Sequence, residues 1–248
     1  MKKERYPLPD IIRGCCLISM ILFHASWDLV YLFDVDWPWF QTIWEEVWQQ
    51  SICWTFILLA GFCVPFSSHP VRRGILVFSC GAVISVVTLV CLPEQRILFG
   101  VLTLLGCCMM LVGSLEPILR RIPPMSGMLG SFLMFLMLFR VNDGVIGLGS
   151  LWQKKLPDGW YGNYLTTFLG FPTPEFFSGD YFSILPWSFL FLTGYFAHFV
   201  VMKSPLKALL KKGQCKPLAW LGRHSLLIYM LHQPILYGVL WIVFTYLL

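Results

Sequence analysis

The sequence predicts an all-α, polytopic membrane helix bundle of about seven transmembrane helices, with its N-terminus in the cytoplasm. Three observations carry that expectation: a composition too apolar for water, apolar blocks of bilayer-spanning length, and a one-sided distribution of basic residues. Of the 248 residues, 57% are hydrophobic, 17% aromatic and 12% charged. A soluble domain carries about 25% charged residues, so half that fraction leaves too little polar surface to cover a globule. The apolar residues fall in blocks of about 18–25, enough to cross a hydrocarbon core roughly 30 Å thick.

Helices are expected near 11–33, 48–66, 74–92, 97–115, 125–140, 183–202 and 224–248, within a single domain over 1–248. The connections hold the punctuation that ends helices: Asp34 to Pro38, Ser67 to Pro70, Pro93-Glu94-Gln95, Pro123-Pro124 and Ser204-Pro205. With the N-terminus inside, the cytoplasmic ends hold Lys2, Lys3, Arg5, Arg13, Arg72, Arg73, Arg120, Arg121, Lys203, Lys207, Lys211, Lys212, Lys216 and Arg223. That is fourteen of the eighteen basic residues; Arg96, Arg140, Lys154 and Lys155 fall outside. Dropping or adding a helix scrambles this segregation, so charge supports the count. The net charge of +5 then reflects topology, and no nucleic-acid partner is expected.

The segment 141–182 is rich in Gly, Pro and aromatics and is expected to lie over the outer face as interfacial or re-entrant structure. The tryptophans between Asp34 and Trp48, with Trp152 and Trp160, fit an interfacial belt, the alternative being a sugar-stacking platform. The nine cysteines show no CxxC or Cys/His metal spacing, so they are expected to be small core residues, and no metal site is expected. The apolar run after Lys2, Lys3 and Arg5 is too long for a signal-peptide core of about 7–15 residues.

Ionisable groups at membrane depth are costly and mark function by default. The first helix has the densest set: Asp10, Arg13, His24 and Asp28. Arg13 and His24 are eleven residues apart, which returns to within about 20° of one face at about 100° per residue, and separates them by about 16 Å along the axis. Asp10 precedes Arg13 by one turn and Asp28 follows His24 by one. A His with Asp at i+4 can be oriented by the carboxylate while its other nitrogen takes a proton from a hydroxyl or amine. Arg13, near the inner surface, suits an anion such as the phosphate of a cytoplasmic donor. The bland alternative is an interfacial Asp10–Arg13 ion pair and a buried structural His24–Asp28 pair.

The last helix carries a second set. Ser225, Tyr229, His232 and Gln233 fall at i, i+4, i+7 and i+8 on one face, and Pro234 is expected to kink the helix where His232 sits. Arg223 and His224 face the inner surface. A third polar site, Asp180 before Pro186-Trp187, lies at the mouth of the sixth long helix, where capping and substrate contact are equally open.

Asp10-Ile-Ile-Arg13-Gly14 through Phe23-His24 and Trp27-Asp28, with Asp180-Tyr181-Phe182 to Pro186-Trp187 and Leu221 to Pro234, resemble the prokaryotic heparan-alpha-glucosaminide N-acetyltransferase-like membrane proteins. The Arg13/His24 spacing is also similar to that of the broader membrane acyltransferases that acetylate bacterial surface glycans. The resemblance implies an acyl-CoA-dependent N- or O-acetyltransferase, using acetyl-CoA as donor cosubstrate, with His24 as catalytic base or acyl-carrying residue and Arg13 on the donor path. Asp10, Arg72, Arg73, Arg223 and His224 would help hold the CoA. Asp180, Trp187, Tyr229, His232 and Gln233 would meet a glycan or amino-sugar acceptor. In the lysosomal members the active histidine lies in the first non-cytoplasmic loop, and residues 34–50 here contain none, so either His24 takes that role or the chemistry differs. The expected setting is a multi-pass protein of a bacterial cytoplasmic membrane, in contact with lipid and with homo-oligomerisation as an option. Two other classes stay open: a proton-coupled transporter or flippase using the same His/Asp/Arg groups, which no internal repeat supports, and a non-catalytic membrane scaffold.

Overall fold

Proline fixes where several of these helices begin. A computed structural model describes residues 6–149 and 151–247, so the expected basic residues Lys2, Lys3 and Arg5 lie outside the described residues. Helix α1 spans Pro7–Tyr31, α3 Pro70–Cys91 and α5 Pro124–Leu138, each with proline in its opening turn. There the missing N–H is one that the helix would leave unpaired anyway, and the ring presets φ. Reading these prolines as breakers places the starts at 11, 74 and 125, later than the structure does. Helix α2, Ile43–Cys63, also starts before the expected 48, and its first turn carries Glu45 and Glu46, which favour a helix N-terminus.

Among the described residues seven helical segments are long and apolar enough to cross a membrane: Pro7–Tyr31, Ile43–Phe66, Pro70–Cys91, Val101–Leu119, Pro124–Asp143, Ile184–Met202 and Ser225–Tyr246. The fold is all-α with a two-stranded hairpin. Helix α4 (Val101–Leu119) runs through Pro117, and α7 covers Ile184–Met202. The segment 141–182 holds the hairpin β1 (Val145–Gly147) and β2 (Gln153–Lys155), paired Val145 to Lys155 and Gly147 to Gln153, and the short helix α6 (Tyr164–Leu169). Before α10 (Ser225–Tyr246) come two short helices that periodicity did not reveal, α8 (Lys207–Leu210) and α9 (Lys216–Arg223).

The chain divides into two compact units. One combines residues up to Phe56 with those from Ser204 onward; the other spans Ile57–Lys203. Apolar helices gain little hydrophobic energy by associating in lipid, so close packing through small residues does the holding. In the second unit α3 and α4 meet this way: a Cβ on Gly106 would lie 2.6 Å from the Phe78 backbone nitrogen, and one on Gly81 would lie 2.8 Å from that of Thr103. Helices α5 and α7 are joined by Ser131 and Thr193, whose hydroxyls are 3.1 Å apart.

In the first unit α1 is the central element. Its core is Cys16, Leu17, Met20, Phe23 and Val30, with Phe40 and Ile52, and Trp48, Ile228 and Tyr229 pack around it. Trp48 donates its indole N–H to Ser19 at 2.8 Å, which lets a large aromatic sit inside without an unpaired donor. Helix α9 crosses the first half of α1 at glycines: a Cβ on Gly14 would lie 2.1 Å from the Leu218 carbonyl oxygen, and one on Gly222 would lie 1.8 Å from that of Asp10. The cysteines correct an expectation. Cys16 and Cys108 are buried, but Cys15, Cys91 and Cys215 are exposed and the remaining four half-buried.

Candidate functional site

Two polar clusters ride on α1, one near each end. At the first, Asp10 and Arg13 stand one turn apart and pair, with Arg13 Nη1 3.2 Å from Asp10 Oδ1. The same guanidinium nitrogen donates to the Gly222 carbonyl at 3.3 Å. Only glycine at 14 and 222 lets the two backbones approach closely enough for that second bond. Arg13 is therefore tied both to its own helix and to α9, and its side chain is 13% exposed.

The second cluster joins α1 to α10. The His24 and His232 rings lie 4.9 Å apart between centroids, tilted by 57°. Edge-on contact with Phe23, 5.7 Å between centroids, adds an apolar wall on the His24 side. Asp28 is fully buried, and its Oδ1 accepts the Gln233 side-chain N–H at 2.7 Å. His232 is 8% exposed, and its Nδ1 sits 2.6 Å from the Tyr229 carbonyl one turn back. A carbonyl can only accept, so Nδ1 carries the hydrogen and a neutral ring keeps a lone pair on Nε2. Three buried atoms here have no hydrogen-bond partner among the described residues: Asp28 Oδ2, His232 Nε2 and Gln233 Oε1.

This arrangement corrects the expected His24–Asp28 pair. The Asp28 carboxyl group takes a hydrogen bond from the Gln233 amide across the helix interface, and the His24 ring faces His232 instead. Helix α10 continues through Pro234 to Tyr246.

The other candidates are dispersed. Arg223 and His224 are exposed where α9 meets α10, with the His224 ring 4.4 Å from that of Trp220 and its Nδ1 2.9 Å from the Trp220 carbonyl. Arg72 and Arg73 are exposed on the first turn of α3, in the second unit. Asp180 is also in the second unit and acts as a cap: its Oδ2 accepts the Val101 N–H, 3.1 Å away, at the start of α4. Trp187 is buried against Phe135, Phe139 and Phe182, so it packs the core of that unit. Tyr181 donates to the Thr167 carbonyl at 2.5 Å, and burial pushes its phenol up to about 12, which keeps it protonated as a donor. Residues 24, 28, 229, 232 and 233 thus form one site, and 10 and 13 another on the same helix. The Gln233 and Tyr229 carbonyl contacts were not readable from spacing.

Helices of spanning length and a histidine–carboxylate–amide site at a helix interface define a polytopic membrane protein with a buried polar centre. The chain belongs to the family heparan-alpha-glucosaminide N-acetyltransferase, catalytic, which matches residues 5–234, a span that takes in both clusters. It is an acetyltransferase-type membrane enzyme. No curated protein and no solved structure gives a significant match to it.

Proposed function

We propose that this enzyme moves an acetyl group from cytoplasmic acetyl-CoA to a sugar amine or hydroxyl on the opposite side of the membrane. The observation that carries this reading is the His24–His232 pair beside Asp28 and Gln233, set in spanning helices at a point where buried acceptors lack partners. The one-sided distribution of Lys and Arg supports a cytoplasmic N-terminus. Arg13 then stands on the donor side, where a phosphate of CoA suits a guanidinium, and His24 lies about 16 Å further along α1. The thioester would reach the histidine pair from the Arg13 end, and the acceptor from the other end. A bacterial cytoplasmic membrane and modification of a glycan fit this direction of transfer.

The chemistry asks little beyond positioning and a base. The acceptor nitrogen or oxygen attacks the thioester carbonyl carbon, the carbon–sulfur bond breaks, and an imidazole takes the proton that the acceptor loses. A positioned base contributes roughly 10²–10⁴ in rate. Purified protein should be stabilised thermally by acetyl-CoA and should transfer labelled acetyl to an amino-sugar acceptor. His24→Ala should lose most transfer while remaining folded. Absence of any stabilisation at millimolar acetyl-CoA, or wild-type transfer by His24→Ala, would overturn the reading.

A further inference from the structure

The three buried atoms of the second cluster that lack a partner among the described residues are all hydrogen-bond acceptors. Gln233 has turned its N–H toward Asp28, so its Oε1 is the end left over; Asp28 keeps Oδ2; and His232, with Nδ1–H committed to the Tyr229 carbonyl, keeps the lone pair of Nε2. Buried acceptors without donors are rare in folded proteins and each needs a reason. A ligand bringing N–H or O–H groups supplies one.

The two histidines are not equivalent. Among the described residues the His24 side chain forms no hydrogen bond and is half-buried, so no hydrogen bond selects its tautomer. His232 is more than nine-tenths buried, and its backbone contact fixes both. A base held in one tautomer, with the other nitrogen bare, needs no reorganisation to accept a proton.

We infer that His232 is the proton acceptor of the transfer reaction, its Nε2 receiving the hydrogen of the acceptor's amine or hydroxyl while Nδ1–H stays on the Tyr229 carbonyl. The inference rests on the acetyl-transfer reading above and assigns a role within that site. As the acceptor–carbonyl bond forms, the proton passes to Nε2 and the carbon–sulfur bond breaks. The CoA thiolate then takes a proton from the imidazolium and leaves as the thiol, so His232 ends as it began. His24, with its ring 4.9 Å away, is placed to hand that proton on. Asp28 Oδ2 and Gln233 Oε1 are left to take further N–H or O–H groups of the same acceptor, as positioning residues.

The test separates the tautomer from the rate. Nitrogen-15 spectra of the imidazoles should show His232 with a protonated Nδ1 and a bare Nε2 at neutral pH. His198 and His224 also set Nδ1 against carbonyls, so the spectrum is taken in a protein with His24, His69, His198 and His224 each replaced by Gln, where every imidazole signal belongs to His232. His232→Asn keeps an amide N–H near the Tyr229 carbonyl and removes the base. Its kcat should fall by about 10²–10⁴, with thermal stabilisation by acetyl-CoA retained. His232→Gln serves if the Asn variant does not fold, and the tautomer decides alone if neither does. A protonated Nε2, or a folded variant with undiminished kcat, overturns the assignment. If the unaltered protein transfers no acetyl group, the acetyl-transfer reading fails instead, which the spectrum does not measure.

Discussion

The glycine crossing of α1 and α9 gives the most direct structural prediction. In Gly222→Ala the new Cβ would lie 1.8 Å from the Asp10 carbonyl oxygen and 2.7 Å from its carbon. Ordinary contact for a Cβ begins near 3.4 Å, so the seam must open by 3.4 − 1.8 = 1.6 Å at that point. Backbone is met on the far side, and no side-chain rotation can relieve it. Overpacking of this kind costs about 1–3 kcal/mol, and an obstacle of backbone belongs at the upper end. Alanine returns roughly 1 kcal/mol as the better helix former, leaving a loss of about 2 kcal/mol. At about 2–4 °C per kcal/mol for a chain of this size, the melting midpoint in detergent should fall by roughly 4–8 °C. The long Arg13–Gly222 bond, at 3.3 Å, breaks as the seam opens. Gly238 on α10 is the control, since a Cβ there would meet nothing within 4 Å; Gly238→Ala should melt at or slightly above wild type. If Gly222→Ala melts with Gly238→Ala, the close crossing does not exist.

The Asp28–Gln233 bond predicts coupling between α1 and α10. A double-mutant cycle of Asp28→Ala and Gln233→Ala, read by unfolding in detergent, should give about 0.6 kcal/mol and at most about 1.7, the mean and maximum of such cycles for interhelical bonds in a membrane protein; additive effects would count against the bond. Asp180→Ala should destabilise by about 0.5–2 kcal/mol through loss of the α4 cap, and Asp180→Asn should restore most of it without lowering acetyl transfer. A loss of transfer in a stable Asn variant would return Asp180 to the substrate.

What the sequence revealed and what it hid follow physical lines. Spanning length and charge exclusion are properties of contiguous residues, and the seven apolar segments are visible without any knowledge of packing. The helix starts at Pro7, Pro70 and Pro124 were displaced because proline serves equally well to stop a helix and to open one. Periodicity placed Asp10, Arg13, His24 and Asp28 along one stripe, and Tyr229, His232 and Gln233 along another. It could not say which members of the stripes meet, because rotation of one helix against another is fixed by contacts distant in sequence. Hence spacing pairs Asp28 with the histidine four residues away, whereas packing pairs it with Gln233, 205 residues away. Gly14 and Gly222 were signals of a close crossing that spacing alone could not pair.

The discontinuity of the first unit bears on how the protein is made. Asp28 and Arg13 enter the membrane with α1, while Gln233 and the Gly222 carbonyl are synthesised more than 200 residues after them. At about 5–20 residues per second, those 205 residues represent roughly 10–40 s during which a buried-type carboxylate has no amide to meet. For that interval α1 carries the cost of an acid in a spanning segment alone, unless the membrane insertion machinery shelters it. A nascent chain stopped after Lys203 would hold this debt permanently, so quality control acting on unpaired intramembrane charge should recognise it and degrade it.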